Sequence, residues 1–102
     1  MKDLIQRLEK ATDTSFELSH AIANLDWYRE QFGDSADDEV PDFIRSMDAS
    51  AILVPDGAIW DVASTGVAWV DVPGEQQLFT GKGKFPATGL CIAALKAREA
   101  GK

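Results

Sequence analysis

Apolar and polar positions divide the chain into a helical first half, a strand region and a closing helix. Leu4, Ile5 and Leu8 recur at helical spacing near the start. Leu18, Ala21, Ile22 and Leu25 do so again. The two stretches are one kinked helix, or two helices broken near Thr12 to Ser15. Thr14 followed by Glu17 has the spacing of a capping box, in which the Thr14 hydroxyl accepts the Glu17 N–H and the Glu17 carboxylate accepts the Thr14 N–H. In both versions one helical face is apolar and needs a cover.

"DWYREQFG", from Asp26 to Gly33, carries Trp27, Tyr28 and Phe32. Aromatic side chains suit a half-buried sheet, so a short strand ended by Gly33 is expected, with a continued helix as the alternative. "DSADDEVPD", from Asp34 to Asp42, has neither period and reads as a solvated loop. Ser46 then has the chemistry of an N-cap for a short helix through Met47, Ala51 and Leu53. Asp48 falls in its first turn, where a carboxylate suits the helix dipole. Pro55 and Gly57 end it.

From Ala58 the period changes to two. Trp60 and Val62 share one face of a first strand, and Ser64 to Gly66 is a turn. Val67 to Val72 is a second strand, with Ala68, Val70 and Val72 on one side and Trp69 on the other. Pro73 to Glu75 turns the chain again, and Gln77 to Thr80 is a third strand. Connections this short allow only antiparallel pairing. Pro86 opens the last helix, where its missing N–H costs nothing. Ala87, Leu90, Cys91, Ala94 and Leu95 form its apolar stripe, and Gly101 closes it. The expectation is an α+β fold: a small antiparallel sheet of three to four strands, with N- and C-terminal helices over one face.

A chain of 102 residues, 45% hydrophobic and 26% charged, fits a single globular domain. One Cys and one His exclude an internal disulfide and the usual zinc spacings, so neither a metal nor a cofactor is expected. No stretch approaches the ~20 apolar residues that span a bilayer. The start lacks the apolar run of a signal peptide, which points to the cytoplasm.

The net charge is −7. Residues 31–61 hold eight acids (Asp34, Asp37, Asp38, Glu39, Asp42, Asp48, Asp56, Asp61) against Arg45 alone, so eight minus one equals the whole imbalance. The remainder balances at nine acids and nine bases. This field repels nucleic acid and suits a basic protein surface. Charge so segregated could imitate a phosphate backbone and occupy a basic groove. A solvated loop with ordinary helix and turn carboxylates is the plainer explanation. A calcium loop is disfavoured, because EF-hand spacing is absent from "DSADDE".

Three blocks, "LIQRLEKATDTSFELSHAIA", "VPDFIRSMDASAILVPDGAIWDV" and "PATGLCIAALKARE", occur in an order that resembles small phage and prophage proteins with a phage ABA sandwich domain. The resemblance implies an αβα-like sandwich and a phage or prophage origin. It implies no catalytic residue. Two segments depart from the family pattern: the acidic run from Asp34 to Asp42 and the basic "TGKGKF" from Thr80 to Phe85.

Candidate chemistry is sparse. Asp34, Asp37, Asp38, Glu39 and Asp42 form the expected partner-binding site, with Trp27 or Tyr28 beside them. Lys82, Gly83 and Lys84, ahead of the last helix, could cradle a phosphate, although the Walker spacing is missing. Trp60 and Trp69 could meet across neighbouring strands, buried in the core or exposed as a platform. His20 lies off the apolar stripe of its helix, and no nucleophile is placed beside a base by any motif. Cys91 sits amid apolar residues with no cation on its face, which favours packing over reactivity. The expected function is therefore a non-enzymatic accessory protein that blocks a basic host protein. The alternatives are a nucleotide-binding sink and a structural virion component. A homo-oligomer is one option for its assembly.

Overall fold

A computed structural model describes residues 2–10, 16–32, 43, 46–55, 57–74 and 78–100. The order of elements is α1 (Lys2–Lys10), α2 (Phe16–Ala23), α3 (Asp26–Phe32), α4 (Met47–Ala51), β1 (Ile59–Val62), β2 (Val67–Asp71), β3 (Phe79–Lys82) and α5 (Pro86–Ala100). The three strands make an antiparallel sheet in the order β1-β2-β3. This is the expected α+β architecture, a three-stranded meander packed with helices.

Helix α5 is the centre of the molecule. It packs on β2 and β3 most closely, and α1 and α4 pack against it from elsewhere. Its residues from Ala87 to Leu95 are all buried, and Ala97 with them. The expected single stripe is therefore one of two. Ala87, Leu90, Cys91, Ala94 and Leu95 fall on the side from which Arg98 reaches the Leu53 carbonyl, just past α4. Gly89, Ile92 and Ala93 approach Gly81 of β3. A helix covered on both sides has no polar face to show. The uncharged run from Pro86 to Leu95 was the sequence sign of it.

Glycine sets how closely α5 approaches the sheet. A Cβ on Gly89 would run into the carbonyl oxygen of Gly66, in the β1–β2 turn. Gly66 itself has φ +92°, which only glycine adopts without strain. Its carbonyl also accepts the N–H of Gly83 at 3.0 Å. The turn, the end of β3 and the start of α5 are thus joined through backbone atoms.

The short helix α4 starts as expected. Ser46 has extended backbone, and its Oγ accepts the N–H of Ala49 at 3.2 Å. Two expectations are corrected. Asp26 to Phe32 is a helix, not a strand: Trp27 and Tyr28 are adjacent, yet both join the packed interior, and a strand would send them to opposite sides. Tyr28 stacks edge-on against Phe43 at 5.7 Å between ring centroids, and against Trp27 at 6.0 Å. The third strand runs two residues later than expected, because pairing of Val67 with Lys82 and Val70 with Phe79 sets its register. The proposed capping box at Thr14 and the closing Gly101 lie outside the described residues.

One hydrophobic cluster unites Leu4, Ile5 and Leu8 of α1, Leu18 and Ile22 of α2, Tyr28, Phe43 and Leu53 with α5 and the inner face of the sheet. On that inner face Ala68 and Val70 are fully buried, as their alternation predicts.

Candidate functional site

Arg98 links three elements. Its Nε donates to the carbonyl of Leu53 at 3.0 Å, and its guanidinium lies 4.3 Å from the centre of the Trp27 ring. The cation therefore caps the C-terminal carbonyls of the α4 segment while stacking on α3. Trp27 is half-buried beneath it, and its indole N–H has no hydrogen-bond partner among the described residues. Tyr28 is buried, and desolvation pushes its phenol pKa up. Neither ring stands alone: Arg98 lies over Trp27, and Phe43 packs edge-on against Tyr28.

Cys91 is fully buried, and desolvation pushes its thiol pKa far above the ordinary value. A thiol that stays protonated is a poor nucleophile. It packs as a small apolar side chain. His20 is exposed on α2. Among the described residues, no group of three or more His, Cys, Asp or Glu is placed to hold a metal ion. Among them too, no helix is long and apolar enough to cross a membrane. An open depression of about 340 Å³ is lined by Phe79, Lys96, Glu99 and Ala100. Its cation is already engaged: Lys96 Nζ donates to the Thr80 carbonyl at 2.9 Å and lies 3.9 Å from Glu9.

The expected partner-binding residues Asp34, Asp37, Asp38, Glu39 and Asp42 lie outside the described residues, as does Asp56. Of the acidic stretch, Asp48 is exposed in the first turn of α4 and Asp61 is exposed on β1. The basic segment is not one loop. Lys82 belongs to β3, opposite Val67, with its side chain exposed on the outer face of the sheet. Gly83 follows and gives its N–H to Gly66, so this donor is not available to an anion. Lys84 is exposed, with Nζ 6.0 Å from the centre of the Phe85 ring.

The two strand tryptophans do not face each other. Trp60 pairs with Val70 and Trp69 pairs with Asp61. Directly paired residues share a face, so Trp60 lies on the inner face at the sheet edge, 38% exposed. Trp69 lies on the outer face and is half-buried.

Sequence reasoning missed that outer face. The register sets Ile59 opposite Asp71, Asp61 opposite Trp69 opposite Thr80, and Val67 opposite Lys82. Continued by one residue, it sets Leu78 opposite Asp71. Ile59 is 62% exposed, Leu78 53% and Val67 38%. The sheet's helix, α5, lies on the other side. The sign was present in "GVAWV", where both alternating sets are apolar.

Comparison with known protein families, curated proteins and solved structures finds no match to this chain.

Proposed function

We propose that this protein is a non-enzymatic accessory protein, of phage or prophage origin, that binds a basic surface of a host protein in the cytoplasm and blocks it sterically. The observation that carries the proposal is the segregation of charge: all of the −7 imbalance falls within residues 31–61. Such a field speeds association with a cationic partner and disfavours nucleic acid. The nucleotide-binding alternative at Lys82, Gly83 and Lys84 is weakened by the engagement of the Gly83 N–H.

The test is affinity capture from host lysate at low and high salt, with Asp37, Asp38 and Glu39 changed to Asn, Asn and Gln in parallel. A basic host protein that is retained at low salt, released at high salt and lost by the triple variant is the expected result. Retention that ignores both salt and the triple change sinks the reading.

A further inference from the structure

The outer face of the sheet is a three-by-three array of side chains. Its rows are Ile59, Asp71 and Leu78; Asp61, Trp69 and Thr80; and Ala63, Val67 and Lys82. Four of the nine are Ile, Leu, Val and Trp, and no described helix packs over them. An unpartnered apolar face of this kind marks an interaction surface. The question is what covers it.

Charge selects the occupant. Asp61 flanks Trp69 directly, and Asp71 lies one step along the same strand face. Neighbours at these positions stand about 5–8 Å apart, within reach of one long cationic side chain. Among the described residues, neither carboxylate has an ion-pair partner, and the single cation of the array, Lys82, lies on the opposite edge strand from Asp61 and two rows from Asp71. Asp61 is also held in place, because its Oδ1 accepts the N–H of Val62 at 2.8 Å. A fixed carboxylate loses less freedom on binding than a mobile one. A second copy of this chain would bring a further −7 against the face, which opposes self-docking.

We infer that the outer sheet face docks a basic, apolar-flanked segment of a partner protein, with an arginine or lysine over Trp69 between Asp61 and Asp71, and apolar side chains on Ile59, Leu78 and Val67. The inference rests on the function proposed above for the sign of the partner's charge. It adds the surface and the chemistry of the segment: a cation against an indole and two carboxylates, surrounded by aliphatic contacts.

The experiment is an NMR titration of the full chain with a synthetic peptide of alternating arginine and leucine, and with the same peptide carrying glutamate for arginine. The Trp69 indole N–H, identified by Trp69→Phe, and the methyls of Ile59, Val67 and Leu78 should shift with the basic peptide and stay still with the acidic one. The pair Asp61→Asn and Asp71→Asn should weaken binding about fivefold or more, the sum of two exposed charge contacts. Asparagine keeps an oxygen for the Val62 N–H, so the strand is undisturbed. Ile59→Ser with Leu78→Ser should weaken it as well. Shifts confined to residues 34–42, with Trp69 unmoved, overturn the inference and leave the proposed function standing. Shifts of this face with protein concentration alone, joined by dimerisation in sedimentation, also overturn it. So does the absence of any shift.

Discussion

Gly89→Ala sets two physical effects against each other in one helix. In α5 alone the change should help, since alanine is favoured over glycine in a helix interior by about 1 kcal/mol. In the folded molecule the new methyl meets the carbonyl oxygen of Gly66, with the Gly81 carbonyl oxygen 3.3 Å away. Neither is the loose end of a side chain. Gly66 is pinned by its φ of +92° and by the Gly83 N–H. To make room, α5 must lift from the sheet. Overpacking of this kind costs about 1–3 kcal/mol. Loss of the Gly83 to Gly66 bond adds about 1 kcal/mol. Set against the helical gain, the expected outcome is a net loss of roughly 1–3 kcal/mol. At about 4–8 °C per kcal/mol for a domain near this size, Tm should fall by roughly 4–24 °C. Thermal melts by circular dichroism, with urea unfolding to check that the denaturant slope is unchanged, measure it. A variant as stable as the parent, or more stable, would refute the close approach of α5 to the β1–β2 turn.

Two further outcomes are expected. Arg98→Ala should cost about 2–4 kcal/mol, from a charged hydrogen bond to the Leu53 carbonyl and the stack on Trp27. A double-mutant cycle with Trp27→Leu should return a coupling above about 0.5 kcal/mol, and additive losses would remove the stacking argument. Cys91 supplies a pH test. Its thiol pKa is raised by burial above the ordinary 9.0, so the unfolded chain releases this proton first. The stability tied to Cys91 is therefore complete below about pH 9 and declines as pH rises beyond it, by at most about 1.4 kcal/mol per unit. The urea midpoint of the parent should lie above that of Cys91→Ala below that pH, and the gap should narrow as pH rises beyond it. Parallel curves, or rapid alkylation of the folded protein by iodoacetamide, would place the thiol at the surface.

The strand region was legible because a half-buried strand has a strict period. Ala68 and Val70 go inward and Trp69 outward, whatever surrounds them. The start of α4 at Ser46 and of α5 at Pro86 was equally legible, since a cap and a fixed φ act within one turn. Burial of Cys91 followed from its apolar neighbours. The second covered side of α5 was written in its uncharged run but hidden by a search for one stripe.

Other features belong to the assembled molecule. Trp27 and Tyr28 have the aromatic character of a strand, yet Arg98 and Phe43, 71 and 15 residues further along the chain, receive them from a helix. No local window contains those partners. The glycines at 81 and 83 read as loop, and only the nearness of Thr88 and Gly89 shows them as contact points between strand and helix. Lys82 read as loop as well, and the pairing with Val67 decides its face. Alternation and capping are properties of neighbours in sequence, so the amino-acid order alone determined them. Which face of the sheet is covered, and which stands open around Trp69, depends on contacts between segments far apart in the chain, and only the tertiary structure decided it.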